Sequence, residues 1–360
     1  MKNVTNLKES EINKPPKEYV YSNPNLKYKE IISNNIYNGG IFEIFTSSKN
    51  KEVYLAIPNK EYNVDIILLK TNKAVNSLKG HKYYIKICKY FKDNNNINEY
   101  LISSDIENLI IIWDITNNYS IYDKVEYKNS FGYISAIICL NNIDFNDKID
   151  DYFFFGFNCR YYTNVYSVKN KLKVGIIDKT NEYNTYFLLL WFNKKDNNNY
   201  LIELSENIFI YNIKKNNLNY IVHVGDYYNS KINSGFIYNQ NNIDYLIFAC
   251  NSGIIYKLNL DIKELNRIFS IKSYNKAKIY FSYLLQWSNK YMIVCEYYNK
   301  GFKIIEIEDN DTFRIVTSIK GNYSGFIIYA KKYIHPIYRE SLFTSGSDNT
   351  IILWSKKTEK

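Results

Sequence analysis

Residues Leu78–Ile87, LKGHKYYIKI, lead into Tyr100–Ile115, YLISSDIENLIIIWDI, and the second of these stretches is written again near the end of the chain as Ser341–Ser355, SLFTSGSDNTIILWS. In both copies an apolar strand ends on hydroxyl residues, and a turn rich in Ser, Asp and Asn reverses the chain. A second run of Ile and Leu then closes on tryptophan. Turn formers between β-branched and aromatic runs of this length define two antiparallel strands.

The same texture extends outward from these copies. From about residue 25, short runs of Ile, Tyr, Phe and Val alternate with Asn, Asp, Lys and Ser turns, and no stretch sustains a 3.6-residue apolar period. Such spacing predicts an all-β ring, sandwich or barrel. The repeated unit itself resembles the WD40 repeat, the four-stranded blade of a β-propeller. Registering the other runs on the two clear copies places the third-strand anchor, tryptophan in a consensus blade, at Leu69, Trp113, Val168, Tyr211, Leu258, Ile305 and Trp354. These lie roughly 43 to 55 residues apart, which predicts a seven-bladed WD40-like β-propeller with four-stranded antiparallel blades.

Domain boundaries follow from this register. Residues 1–24, broken by Lys14-Pro15-Pro16-Lys17, read as a flexible leader, 25–356 as the propeller and 357–360 as a tail. The last blade lacks an outer strand after Trp354. Residues 26–33, LKYKEIIS, are expected to supply it and so close the ring.

The resemblance also implies how a blade is held. In the family a His, a Ser or Thr of the second strand, a turn Asp and the Trp form a hydrogen-bonded set. Here Gly80 and His81, Ser103 or Ser104, Trp113 and Asp114 match, but Glu107 occupies the expected turn position and the aspartate, Asp105, comes two residues earlier. The reading therefore expects an altered network. In the last copy Ser345, Ser347, Asp348 and Trp354 match, while Gly321-Asn322 replaces Gly-His. The other five blades lack both His and Trp, so apolar packing and local turns are expected to hold them.

Composition narrows the chemistry. The chain carries 38 Tyr and 20 Phe against 13 Gly, and a net charge of +10. Asn, Lys, Ile, Tyr and Phe share A/T-rich codons, so genomic base bias accounts for their joint excess better than selection for a binding face. The cations are almost all lysine, with arginine only at 160, 267, 314 and 339; lysine lacks the bidentate fork that reads phosphate geometry. Cys88, Cys139, Cys159, Cys250 and Cys295 show no C-x-x-C spacing and four sit in apolar runs, predicting free thiols and a cytoplasmic or nuclear setting. No secretory signal or membrane-spanning run is visible.

Catalytic patterns are missing from the sequence. There is no G-x-S-x-G elbow, P-loop, Rossmann glycine set or H-E-x-x-H, and of the three histidines His81 is assigned to the blade, while His223 and His335 lie among apolar neighbours. Asp147, Asp150 and Asp151 fall in a hairpin insertion, Asn141–Asp151, read as a solvated loop, not a calcium site. No cofactor or metal is expected. The paired-arginine motif of phosphoinositide-binding propellers does not occur, and Ile115-Thr116 after Trp113-Asp114 departs from the pattern of ubiquitin-ligase substrate receptors.

What remains is a non-catalytic scaffold or adaptor for a protein or peptide partner. Its contact candidates are the aromatic residues at blade entrances: Tyr83 and Tyr84, Phe131 and Tyr133, Tyr323 and Phe326. The alternative is an RNA-associated subunit, suggested by Lys–Tyr interleaving such as KSYNKAKIYFSY (Lys272–Tyr283). It is disfavoured because the same mixture pervades the chain.

Overall fold

Asparagine does much of the work of glycine here. Left-handed backbone is adopted at Asn72, Asn108, Asn118, Asn146, Asn197, Asn216, Asn241 and Asn349, and by glycine only at Gly132 and Gly253 among the described residues. The short amide side chain tolerates this conformation and bonds locally to the turn, so a glycine-poor chain still reverses direction often. The result is strands throughout. The computed structural model describes residues 26–32, 40–93, 97–127, 132–157, 162–178, 184–224, 231–270, 281–287, 290–296, 301–308, 313–320, 325–335 and 339–356. The expected leader and tail, Cys159, Phe131, Tyr323 and the Gly321-Asn322 pair lie outside them.

Strand β1 spans Leu26–Ile32. Residues 31–224 then form a unit of four sheets. Blade 1 contains β2 (Glu43–Thr46), β3 (Val53–Pro58), β4 (Val64–Leu68) and β5 (Lys73–Leu78), and blade 2 contains β6 (Ile85–Lys92), β7 (Glu99–Asp105), β8 (Leu109–Asp114) and β9 (Ser120–Glu126). Blade 3 is β10 (Ile134–Phe145), β11 (Lys148–Phe157), β12 (Tyr162–Ser167) and β13 (Leu172–Asp178). Blade 4 is β14 (Phe187–Asn193), β15 (Asn198–Leu204), β16 (Ile208–Asn212) and β17 (Asn217–Val222).

A second unit comprises residues 225–360 with 1–30. Its blade 5 is β18 (Ile232–Gln240), β19 (Ile243–Cys250), β20 (Ile254–Asn259) and β21 (Leu265–Ser270), and blade 6 is β22 (Phe281–Gln286), β23 (Tyr291–Glu296), β24 (Gly301–Ile307) and β25 (Phe313–Lys320). In blade 7, β26 (Ile327–His335), β27 (Arg339–Gly346) and β28 (Ile351–Lys356) have β1 as fourth strand, beside β28. The fold is thus all-β, seven four-stranded antiparallel blades, with the N-terminal strand completing the last. No helix long and apolar enough to cross a membrane occurs among the described residues.

The core lies between neighbouring sheets. In β11, Phe153, Phe155 and Phe157 join blade 2 residues Ile102, Ile110 and Ile112, while Phe154 joins Leu201, Phe209 and Tyr211 of blade 4. This is the two-residue alternation of a strand buried on both faces. Each fully buried side chain of this size contributes about 1.5–3 kcal/mol.

Pairing corrects two anchors. Leu55 faces Ile67 in blade 1 and Phe153 faces Tyr166 in blade 3, just as Leu101 faces Trp113 in blade 2. The anchors are therefore Ile67 and Tyr166, each two residues before the expected Leu69 and Val168. An unbroken apolar run offers no mark that distinguishes these positions. Tyr211, Leu258, Ile305 and Trp354 keep their places, opposite Leu201, Leu246, Met292 and Leu342.

The Asn141–Asp151 insertion is a second correction. It is strand, not solvated loop: β10 and β11 continue through it, with Ile143 and Phe145 buried against blade 4 side chains. Lys214 of blade 4 holds Asp144 at 2.9 Å and Asp147 at 3.9 Å. Asp150 accepts from the Ser167 hydroxyl and Asn170, and Asp151 from the Asn142 N–H at 3.0 Å. The carboxylates are thereby engaged by the protein itself, and no metal-holding cluster occurs among the described residues.

Candidate partner-binding surface

Blade 2 shows how its sequence locks it. Trp113 Nε1 donates to Ser103 Oγ at 2.8 Å, Ser103 Oγ lies 2.7 Å from His81 Nε2, and His81 Nδ1 lies 2.8 Å from Asp105 Oδ2. One neutral tautomer satisfies every group: Ser103 donates to Nε2 and Nδ1–H donates to Asp105. The other carboxylate oxygen of Asp105 accepts the turn N–H groups of Glu107 and Leu109, both at 3.0 Å. Asp105 thus serves as the turn aspartate from two residues earlier in the chain, and the tryptophan, serine, histidine and carboxylate are joined despite the expected alteration. Gly80 packs closely beside it: a Cβ there would lie 2.8 Å from Ile111 Cδ1 and 3.1 Å from Trp113 Cη2, so a larger residue would displace the isoleucine side chain. Asp114 caps the following turn through the Asn117 N–H at 2.9 Å.

Blade 7 keeps half of this arrangement. Trp354 Nε1 donates to Thr344 Oγ1 at 2.7 Å, so Thr344, not Ser345, is the counterpart of Ser103. Ser345 corresponds to Ser104, and both hydroxyls are buried on the opposite strand face without hydrogen-bond partners among the described residues. Ser347 Oγ accepts the Phe326 N–H at 3.0 Å, and Asp348 accepts from Thr350 within its turn.

Polar locks also occur where none was expected. In blade 4, Glu203 occupies the position of Ser103, with Leu201 facing Tyr211 as Leu101 faces Trp113. Glu203 is fully buried and accepts from Thr185 Oγ1 at 2.7 Å and from Thr163 Oγ1 of blade 3 at 2.9 Å. His223, by contrast, is exposed, with its Nδ1 3.3 Å from Asn207 Oδ1.

Between blades 1 and 2, at the opposite end of the strands from His81, buried Glu99 accepts from the Ser48 N–H at 2.8 Å, Ser47 Oγ at 3.2 Å and Tyr90 OH at 2.5 Å, with Lys92 Nζ 3.6 Å away. Burial alone raises its pKa, but the Tyr90 hydroxyl, the Ser48 N–H and Lys92 together hold the carboxyl below the ordinary glutamate value. A depressed folded-state pKa contributes stability above the unfolded value, about 4.3, and loses it as pH falls through the folded value. Tyr90→Phe is accordingly expected to cost about 1–2 kcal/mol at neutral pH and progressively less below pH of about 4. Urea unfolding of both proteins across that range measures it, and a difference that does not change with pH refutes the assignment.

The blade entrances, where the innermost strand of each blade begins, carry the aromatic candidates. Tyr83 is 48% and Tyr133 36% exposed. Tyr84 is half-buried against Tyr62, ring centroids 4.8 Å apart and edge-on. Tyr62 lies in the β3–β4 turn with a left-handed φ of 63°, a strained conformation for a bulky residue. Lys86 sets its ammonium 5.5 Å from the Tyr133 ring centroid. Tyr186 donates to Glu206 at 3.0 Å; burial, then Glu206, and to a smaller extent neighbouring Tyr133 raise its phenol pKa.

Tyr62 thus contacts Tyr84 between blades 1 and 2, Lys86 of blade 2 contacts Tyr133 before the inner strand of blade 3, and Tyr186 stands at the corresponding entrance of blade 4. Sequence reading names Tyr83, Tyr84 and Tyr133 as contact candidates and does not name Tyr62, Lys86 or Tyr186, which pack or stand beside them. A signal for Tyr186 was present: Tyr84, Tyr133 and Tyr186 each immediately precede an inner strand. Phe326 belongs to the other unit and is half-buried, its backbone tied to Ser347.

No family model and no curated protein matches the chain. Solved structures do. The β-propeller domain of Cps50 (Swd1) from Myceliophteria thermophila superposes with a TM-score of 0.66 at 14% identity, covering 91% of this chain and 99% of that one. A chain of the mitotic checkpoint complex gives 0.67 at 10% identity, covering 95% and 94%. At these identities the likeness is one of fold. The protein is a seven-bladed β-propeller, a class in which function resides in surface side chains and not in the scaffold.

Proposed function

We propose that this propeller is a non-catalytic adaptor of the WD40 type that binds a protein or peptide segment across the entrances of blades 1 to 4. The observation that carries this reading is the recurrence of tyrosine at these entrances: Tyr84 packed on Tyr62, Tyr133 against Lys86, Tyr186 bonded to Glu206, and Tyr83 exposed. Tyrosines present large apolar area with a polar tip and few rotors, so they bind segments at modest entropic cost. A β-sheet scaffold fixes their spacing. The similar fold in the mitotic checkpoint complex, a multiprotein assembly, accords with such a role.

The test is purification from native extract of the wild-type chain and a Tyr83→Ala/Tyr133→Ala variant, washed at low and high salt. Neither side chain is fully buried, so the variant is expected to melt with the wild type yet lose proteins that the wild type retains in high salt. An identical set of retained proteins overturns the reading. Recovery of RNA that is lost in high salt would favour the nucleic-acid alternative.

A further inference from the structure

At the blade entrances, half-buried Lys86 has no carboxylate beside it among the described residues. Lys86 is the extra residue of a β-bulge: Ile85 pairs with Asp105 and Ile87 with Ser104, leaving Lys86 between them without a partner in the ladder. Bulges redirect a side chain out of the regular alternation. The residue at the same position of blade 3, Ser135, turns inward and gives its hydroxyl to the carbonyls of Thr185 and Gly156. Lys86 makes no such bond among the described residues. Its ammonium meets the Tyr133 ring, and no carboxylate lies within ion-pair distance among the described residues. Lys92 and Lys214 of the same unit, by comparison, have carboxylates beside them.

We propose, resting on the surface assigned above, that Lys86 receives a side-chain carboxylate of the bound segment, so that this face selects an acidic peptide. Half-burial withdraws water from the ammonium and lowers its pKa. An incoming carboxylate supplies the missing counter-charge and a charge-assisted hydrogen bond. Exposed Lys79 and Lys82 precede Tyr83 in the same stretch of chain, adding positive charge around it, and Glu206 accepts from Tyr186 through Oε1. The stretch 78–87 offers lysines and no arginine, so it lacks the fork that holds a phosphate on two parallel hydrogen bonds, and an ammonium suits a carboxylate.

Selection of a displayed library of random peptides on the full chain tests this, followed by affinity measurements on the enriched sequences. Enriched peptides should be richer in Asp and Glu than the library, bind more weakly as salt rises, and lose at least about tenfold in affinity to Lys86→Met while Lys86→Arg retains much of it. Unchanged melting temperatures confirm that both variants are folded. Peptides that depend on Tyr133 but show no acidic enrichment, or bind Lys86→Met equally well, overturn the carboxylate assignment alone. Tighter binding when phosphoserine replaces the acidic residue overturns it in favour of phosphate. Peptides indifferent to both Tyr133 and Lys86, or no enrichment at all, overturn the surface and the inference together.

Discussion

Asp105→Ala is expected to lower the free energy of unfolding by about 3–5 kcal/mol, whereas Glu107→Ala, two residues on, changes it by less than about 0.5 kcal/mol. Removing the Asp105 carboxylate leaves His81 Nδ1, and the N–H groups of Glu107 and Leu109, without their acceptor. The histidine has no way out, since its side chain is enclosed between Gly80, Ser103 and the turn. Each stranded buried donor costs about 1–3 kcal/mol. Glu107 is exposed and contributes only its backbone N–H to this arrangement. Urea denaturation of both variants compares them directly; equal midpoints would mean that the tryptophan–serine–histidine chain does not depend on its carboxylate.

Glu203→Ala should cost about 2–4 kcal/mol, and restoring an apolar interior should recover most of it. The variant removes the acceptor of two buried hydroxyls, Thr163 in blade 3 and Thr185 at the start of blade 4, and opens a cavity. A buried polar group is costly chiefly when its partner is removed; a triad replaced throughout by side chains of like shape is close to neutral. Glu203→Met with Thr163→Val and Thr185→Val should therefore unfold near the wild type and well above Glu203→Ala. If the triple variant proves no more stable than the single one, Glu203 does not act through these threonines.

The two locks differ in how visible they were. His81 and Trp113 are rare residues in a repeated frame, so their blade could be read directly, and with it the blade count and the strand that completes blade 7. Asp105 was visible beside Glu107, but its displacement by two residues suggested an altered network, because the sequence does not show which way either side chain points. Thr344 and Ser345 posed the same difficulty. Both carry hydroxyls, and strand alternation sends one to Trp354 and the other to the opposite face. Glu203 offered one clue, a carboxylate inside the apolar run YLIEL. Its partners come from positions some twenty to forty residues upstream, which no local pattern connects. Lys86 was hidden for a related reason: a bulge is a register shift, and periodicity arguments assume none.

The place of β1 has a consequence for how the molecule comes into being. On a ribosome, LKYKEII is the first of these strands to emerge and β28, its neighbour, the last. β1 has to wait through the synthesis of six blades with its backbone groups open to any passing strand. Two lysines and a glutamate among its seven residues suit that interval, because charge on an unpaired strand discourages premature or foreign pairing. The same span makes its docking the contact of greatest sequence separation in the fold, and hence a natural slow step, whose timing can be followed by releasing chains truncated before and after Lys356.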